Sequence, residues 1–203
     1  MSKAEHITDI AALEALYGAP GQASVIKVTH HLNNTYRTWI ERSRFCVVST
    51  VGPAGTDGSP RGDDGAVVKV VDSKTLLMPD WRGNNRLDTL RNIVADGRLS
   101  LMFMVPGSNN VIRVNGTAVV SVSGDLLGQF ADKGRAPRSV IVITIAEVYS
   151  QCARALMRSA TWTSGDESAG LPTVGEMLAE VEDGFDGAAY DAAWAGRAAK
   201  TMW

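Results

Sequence analysis

The sequence predicts an α+β domain, mainly β, in which antiparallel strands close or nearly close into a barrel with flanking helices. About six short apolar runs are rich in β-branched residues, which is typical of strands. Several of them are joined by two to five residues, whereas a parallel crossover needs about a dozen. The last run, SVIVITIAEVYS, is continuously apolar, so we expect it at the centre of the sheet.

Two helices are predicted before the first strand. One covers residues 7–17 and would begin at Thr8 or Asp9, either of which can accept hydrogen bonds from the first turn. The other runs from about Asn34 to Arg42. The composition changes at Phe45, where the first β-branched run starts.

The barrel segment is predicted to have the element order β, β, β, α, β, β, α, β. Its strands are FCVVSTV, AVVKVV, TLLMP, RLSLMFMV, VIRVNGTAVVSVS and SVIVITIAEVYS. The segment GPAGTDGSPRGDDG is dense in Gly, Pro and Asp, so we expect it to be mostly turn and loop. The spacing of the apolar residues in NNRLDTLRNIV predicts a helix starting near Asn84, and GDLLGQFADKG is a shorter one.

The chain after the last strand is predicted to be helical. CARALMRSATW forms one helix, and the last 30 residues form two, broken at Asp183-Gly184. The final helix would place Tyr190, Trp194 and Arg197 on one side. The chain then divides into an N-terminal helical extension over residues 1–44, a barrel over residues 45–163 and a C-terminal helical extension over residues 164–203.

The composition excludes several classes of protein. A formal net charge of −2 gives no electrostatic reason for a nucleic-acid partner. Two cysteines are too few for a disulfide scaffold or a thiolate zinc site, and a reduced, cytoplasmic setting follows. The charged N-terminus does not resemble a signal peptide, and no apolar run approaches the roughly 20 residues that span a bilayer. The histidines have no metal-binding spacing, so we expect no metal site.

The segment from Pro79 to Arg86 (PDWRGNNR) is the first candidate for an anion site. A strand ends there and a helix is predicted to open, so free backbone N–H groups and partial positive charge are expected. Asn84 and Asn85 can cap the helix, and Arg86 offers a fork of donors that matches phosphate oxygens. The alternative is an ordinary asparagine cap beside a surface arginine, and the local sequence does not separate the two.

Other polar clusters have a functional and an ordinary interpretation. The turn Ser59 to Asp63, which carries Arg61 and Gly62, is either a second arm of an anion or ring site or a polar hairpin loop. Lys69, inside AVVKVV, either reaches a buried anion or points to solvent. Arg113 lies on the polar face of its strand, which is either a site or a solvent face.

The helix after the last strand carries a further candidate cluster. Arg154 and Arg158 lie one turn apart, and Ser159 and Trp162 follow at the helix end. Two cations beside an aromatic ring can frame a planar anionic cofactor. The alternative is an amphipathic helix with a solvated basic face.

From Phe45 to about Trp162 the chain resembles the pyridoxamine 5'-phosphate oxidase-like FMN-binding split barrels. The resemblance implies a six-stranded antiparallel split barrel, a homodimer, and FMN bound in clefts between the subunits. It is carried by FCVVSTV, SPRGD, KVVDSKTLLMPD, GNNRLDTLRNI, RLSLMFMVPG, IRVNGTA and CARALMRSATW.

The resemblance also implies which residues hold the cofactor. The family's Gly-Ser-Arg-Lys phosphate turn falls on Gly83-Asn84-Asn85-Arg86, so phosphate binding would depend on Arg86 and backbone N–H groups. Ser59, Arg61, Gly62 and Asp63 fall on the arm along the flavin ring, and Pro79 and Asp80 fall where the family's backbone faces it. The set of expected contacts is completed by Lys69, Arg113, Arg158, Ser159 and Trp162.

Two functional hypotheses follow. The first is an FMN-dependent oxidoreductase acting on a small molecule, in which the flavin carries the redox chemistry and no protein nucleophile is required. The second is a flavin-binding or deazaflavin (F420)-binding carrier, sensor or stress protein without turnover, because fold alone does not fix function. The Trp- and Arg-containing end of true pyridoxamine phosphate oxidases is replaced by CARALMRSATW, so vitamin B6 oxidation is not expected. Haem is disfavoured because the barrel segment contains no histidine, and an empty cleft is the remaining alternative.

Overall fold

Seven strands form one antiparallel sheet in the computed structural model, which describes residues 6–132 and 135–202. They are β1 (Phe45–Gly52), β2 (Gly55–Gly62), β3 (Lys69–Val70), β4 (Thr75–Asp80), β5 (Arg98–Met104), β6 (Val111–Ser121) and β7 (Ser139–Gln151). Their order in the sheet is β2-β1-β5-β6-β7-β4-β3. The predicted α+β split-barrel class is confirmed, and the predicted count of six strands is wrong by one.

The additional strand is β2, in the segment that was predicted to be mostly turn and loop. It pairs along its whole length with β1, from Gly62 opposite Phe45 to Gly55 opposite Gly52. β2 lies at the edge of the sheet, where a proline such as Pro60 is tolerated because one side of the strand needs no ladder hydrogen bonds. Cross-strand pairing therefore overrides the weak strand propensity of its glycines.

The run AVVKVV contributes less strand than predicted. Only Lys69 and Val70 pair, with β4, whereas Val67 and Val68 are buried in the core. The Val67 N–H donates to the carbonyl of Ser43 at 2.9 Å, so this backbone is satisfied outside the sheet. The run is apolar because it fills the core, and apolar character alone does not distinguish a strand from a buried segment outside the sheet.

Nine helices are present within residues 6–132 and 135–202. They are α1 (Ile10–Tyr17), α2 (Gln22–Ile26), α3 (Asn34–Arg42), α4 (Asp88–Ala95), α5 (Gly124–Gly128), α6 (Arg154–Arg158), α7 (Val174–Val181), α8 (Gly187–Ala192) and α9 (Trp194–Thr201). The predictions of α1, with Asp9 as its cap, and of α3 are confirmed. Residues 1–5 of the predicted N-terminal extension, residues 133–134 of GDLLGQFADKG and residue 203 lie outside the described ranges.

The helix predicted to start near Asn84 begins four residues later, at Asp88. Asn85 and Leu87 both have φ of 63°, a left-handed conformation that cannot continue a right-handed helix. The segment Gly83–Leu87 is therefore a loop that precedes the helix. Apolar spacing predicted this helix but neither its first residue nor its buried face, because Thr89, Asn92 and Ile93 are buried whereas Leu87 and Val94 are exposed.

The C-terminal segment forms three helices where two were predicted. The break at Asp183-Gly184 separates α7 from α8 as expected, and a further break at Ala193 separates α8 from α9. The predicted clustering is confirmed, because the guanidinium carbon of Arg197 lies 4.0 Å from the Tyr190 ring centroid and 5.9 Å from that of Trp194.

The core lies inside the curved sheet and is covered by α3 and α4. β7 lies between β6 and β4, as its apolar sequence predicted, and Ile141, Ile143 and Ile145 are almost fully buried. α4 packs on β1, where Asn92 donates to Thr50 Oγ1 at 3.2 Å. Across residues 6–132 and 135–202, no helix is both long enough and apolar enough to cross a membrane.

Candidate functional site

A pocket of about 610 Å³ opens between β2, β4, the connection that follows β4 and the start of α4. Its volume lies within the usual range of small-molecule sites, roughly 300–1,000 Å³. Nine predicted cofactor contacts line it: Ser59, Arg61, Gly62, Asp63, Pro79, Asp80, Asn84, Asn85 and Arg86. The structure thus brings together the two segments that the sequence marked separately, SPRGD and PDWRGNNR.

The alternation of β2 determines which of its side chains enter the pocket. Asp57, Ser59 and Arg61 are partly buried, whereas their neighbours Gly58 and Pro60 are exposed. Residues two apart share one face of a strand, so these three side chains lie in a row. The predicted polar turn is therefore one ordered wall of the site.

Hydrogen bonds join that wall to α4. Arg61 Nη2 donates to Thr89 Oγ1 at 3.2 Å, and Thr89 Oγ1 donates to Asp57 Oδ2 at 2.6 Å. Ser59 Oγ donates to the same carboxylate oxygen at 3.0 Å. Thr89 is only 2% exposed, and all four members of this network line the pocket, so the hydrogen bonds hold this part of the lining in one arrangement.

The connection after β4 is fixed to the end of β2 by an indole. Trp81 Nε1 donates to Asp63 Oδ2 at 3.0 Å. The ring therefore spans the two walls, and its apolar face is available beside Met78, Pro79 and Leu90, which also line the pocket.

The loop Gly83–Leu87 carries the basic end of the pocket. The Arg86 N–H donates to Asn84 Oδ1 at 3.0 Å, so Asn84 closes a local turn and does not cap α4. Arg86 Nε contacts Asp88 Oδ2 at 2.8 Å, and Arg138 Nη1 donates to Asn85 Oδ1 at 3.0 Å. Arg86 is largely exposed, so its ion pair with Asp88 is weak and exchangeable.

Four arginines and four aspartates line this pocket, but they are distributed unevenly. Arg82, Arg86 and Arg138 surround the loop, whereas Asp57 and Asp63 are held by hydrogen bonds from Ser59, Thr89 and Trp81 on the opposite wall. Asp80 lies between them, and the fourth aspartate, Asp88, is at the loop end, where it pairs with Arg86. Burial raises the pKa of the Asp80 carboxyl above the ordinary value, and the charges of Arg61 and Arg138 partly offset that effect. The loop end thus offers positive charge to an anion.

Comparison with protein families gives one decisive match. The family model described as pyridoxamine 5'-phosphate oxidase matches residues 32–152, which is more than half of the chain and includes the whole pocket. The chain belongs to the pyridoxamine 5'-phosphate oxidase family. No curated protein matches the chain significantly.

Several solved structures are similar over the barrel. HupZ of Group A Streptococcus is 18% identical, with 59% of this chain and 93% of that chain covered and a TM-score of 0.49. General Stress Protein 26 of Bacillus anthracis is 16% identical, with 56% and 88% covered and a TM-score of 0.44. An FMN-binding protein of Syntrophomonas wolfei is 14% identical, with 70% and 97% covered and a TM-score of 0.43.

Five predicted contacts lie away from the pocket of this oxidase-family barrel. Lys69 Nζ donates to Gln129 Oε1 at 2.9 Å, and the guanidinium of Arg113 lies 5.4 Å from the Tyr149 ring centroid. Trp162 Nε1 donates to the carbonyl of Ser108 at 2.8 Å, and Arg158 at the end of α6 and Ser159 directly after it are exposed. Their role in cofactor binding stays a prediction.

Several pocket residues were not among the predicted contacts. Trp81 and Arg82 lie inside the PDWRGNNR segment, but Arg138 is distant in sequence. It immediately precedes β7, whose Ser139 is opposite Asp80, so the antiparallel pairing of β4 and β7 brings it to the loop. Thr89 and Asp57 are ordinary residue types, and only the contact between α4 and β2 reveals them.

In the described ranges, no group of three His, Cys, Asp or Glu side chains is placed to hold a metal ion.

Proposed function

We propose that this family member is an FMN-dependent oxidoreductase that acts on a small molecule. FMN would bind in the pocket, with its phosphate at the Gly83–Arg86 loop and its ring along β2. One observation carries the proposal: a single pocket joins the predicted phosphate loop to the predicted ring wall. These segments are separated by two strands in the chain, so their meeting in one pocket is a property of the fold.

The residues present fit both ends of a phosphorylated, planar cofactor. Arg82, Arg86 and Arg138 lie around the loop, and planar guanidinium groups pair well with phosphate oxygens. A Cβ built on Gly83 would meet no atom within 4 Å, so the backbone there is open to a ligand. Met78, Pro79 and Trp81 provide apolar surface for a ring.

When bound, the flavin would supply the electron-transfer chemistry, and the protein would bind and orient it. Arg61 lies on the ring wall, where its positive charge would favour an anionic reduced ring. In the family arrangement implied by the resemblance, a second subunit would complete the cleft. Arg113, Arg158, Ser159 and Trp162 are the residues we expect it to supply, because they lie outside the pocket of a single chain.

The visible spectrum of the purified protein tests this proposal. Absorption bands near about 375 and 450 nm that persist after desalting would support a held flavin, whose chromophore is the cofactor's own. For protein purified without flavin, excess FMN should raise the melting temperature, since a ligand of the native state stabilises it. A colourless protein with no shift in FMN would contradict the proposal. Preferential stabilisation by F420 would instead favour the deazaflavin alternative.

The phosphate assignment is tested with Arg86→Ala and Arg138→Ala. Each removes a charged donor near the loop, and such hydrogen bonds contribute about 1.5–3 kcal/mol, so FMN affinity should fall roughly tenfold or more. Riboflavin, which lacks the phosphate, should bind almost unchanged. Fluorescence titration with both ligands measures the difference.

Arg98→Ala is the matched control for this experiment. Arg98, like Arg86, is an exposed arginine paired with an aspartate two residues away, but it lies outside the pocket. It should leave both affinities unchanged. Equal weakening of FMN and riboflavin by Arg86→Ala and Arg138→Ala would place the phosphate elsewhere.

A further inference from the structure

We infer that Thr89 is a positioning residue that holds the Arg61 guanidinium against the ring wall of the pocket, with Asp57 fixing the threonine hydroxyl. The hydrogen-bond geometry of this inference does not depend on the proposed function. Only its consequence for flavin binding rests on that function. Thr89 lies within GNNRLDTLRNI, one of the segments that carry the family resemblance, but it was not among the cofactor contacts expected from the sequence.

The Thr89 hydroxyl takes part in two hydrogen bonds, as donor in one and as acceptor in the other. Thr89 has one hydroxyl hydrogen, and it is directed to Asp57 Oδ2 at 2.6 Å. The oxygen is then oriented to accept, and Arg61 Nη2 donates to it at 3.2 Å. Since the carboxylate cannot donate, it fixes the hydroxyl as an acceptor toward Arg61.

The Arg61 guanidinium is held at two points. Its Nη1 donates to the carbonyl of Pro60 at 3.1 Å while its Nη2 contacts Thr89. Two contacts on different nitrogens restrict rotation of the guanidinium plane. The group remains part of the pocket lining, so its orientation there is set from below.

Thr89, which contacts Arg61, lies on a helix that is firmly packed on the sheet. Thr89 is 2% exposed, and Asn92, one turn further along α4, is bonded to Thr50 on β1. Gly52 lies against Asn92 so closely that an added Cβ would overlap its side chain. α4 is therefore fixed on β1 by buried contacts, and Thr89 reaches β2 from a stationary helix.

NMR of the arginine side chains tests the geometry without any flavin. In the native protein we expect slow exchange between the two Nη groups of Arg61, and fast exchange in Thr89→Val, which keeps the side-chain shape and removes the hydroxyl. Thr89→Ser should restore slow exchange. Fast exchange in the native protein would overturn the inference by itself, whether or not the valine variant folds.

FMN affinity tests the consequence through a double-mutant cycle. Thr89→Val should weaken FMN binding about tenfold when Arg61 is present and less than about twofold in an Arg61→Ala background, because coupled residues are non-additive. Equal weakening in both backgrounds would show a merely structural role and overturn the inference. Thr38→Val is the control and should have no effect, because Thr38 is an exposed threonine on α3 whose hydroxyl donates to the carbonyl of Asn34.

The two arms separate the two proposals. If the native protein binds no FMN, the proposed function fails while the Arg61 exchange rates still decide the role of Thr89. If FMN binds but Arg61 rotates freely in the native protein, the proposed function stands and the positioning role of Thr89 is rejected.

Discussion

At the scale of single residues, the pocket combines exposed charges with supports that are buried. Arg86 can leave Asp88 for a phosphate at little cost, whereas Thr89 is almost fully buried and hydrogen-bonded to both Asp57 and Arg61. The sequence identified the first kind of residue, because an arginine after Gly-Asn-Asn is conspicuous. It did not identify the second, because a threonine within an amphipathic helix has no distinguishing pattern.

Asp80 gives the pocket a pH dependence that can be measured without ligand. Its pKa is raised above 3.8 by burial, so the folded protein bears a cost for the ionised carboxylate at neutral pH, and this cost disappears below pH 3.8. Asp80→Asn cannot ionise. It should therefore melt about 2 °C higher than the native protein at pH 7, a small gain because the carboxyl is partly exposed.

The difference between the two melting temperatures should shrink toward zero as the pH falls below 3.8. Thermal melts of both proteins over a pH series, without FMN, measure it. A lower melting temperature for Asp80→Asn at pH 7 would show that the attraction of the Asp80 carboxylate to the charges of Arg61 and Arg138 outweighs its burial.

At the scale of elements, sequence patterns predicted the apolar strands and failed where pairing or backbone conformation decides. β4 to β7 were predicted because their apolar side chains indicate buried strands. β2 was predicted as mostly loop because its order comes from its partner β1, and α4 was started too early because left-handed residues at Asn85 and Leu87 leave no periodic signal. Consequently nine of the residues that line the pocket were predicted, but the strand β2 and the loop before α4, which position many of them, were not.

The irregularity between Asn115 and Gly116, where β6 pairs with β7, should be sensitive to one methyl group. A Cβ at Gly116 would overlap the carbonyl oxygen of Thr144, and backbone in a central pair of strands cannot move aside. Gly116→Ala should destabilise the protein by about 3 kcal/mol. Urea denaturation measures this, and Gly58→Ala is the control.

Gly58 lies on the edge strand β2, where an added Cβ would meet nothing within 4 Å. Its substitution should change the free energy of unfolding by no more than about 0.5 kcal/mol. Similar values for the two variants would mean that the bulge is more adaptable than its contacts indicate.

At the scale of the whole molecule, the two cysteines report on the integrity of the barrel. Cys46 on β1 is fully buried and its pKa is raised to about 12 by that burial, whereas Cys152 is exposed. A thiol reagent at neutral pH should modify Cys152 quickly and Cys46 only when the barrel opens, because the thiolate is the reactive form. Counting modified thiols over time measures both.

Cys152→Ser is the control for this experiment, because it should remove the fast phase and leave the slow one. Two fast thiols in the native protein would mean that β1 is readily accessible, in conflict with its place between β2 and β5.

The position of β2 has a consequence for the mechanics of the sheet. β2 is held on one side by β1, and an edge strand is the easiest place for a sheet to begin to come apart. The pocket joins β2 to β4, which lies near the other end of the sheet order, so a ligand seated there links strands that share no ladder. Separation of β2 from β1 would then require loss of the ligand's contacts with β2 or β4. A bound ligand would therefore stabilise the barrel against opening at this edge.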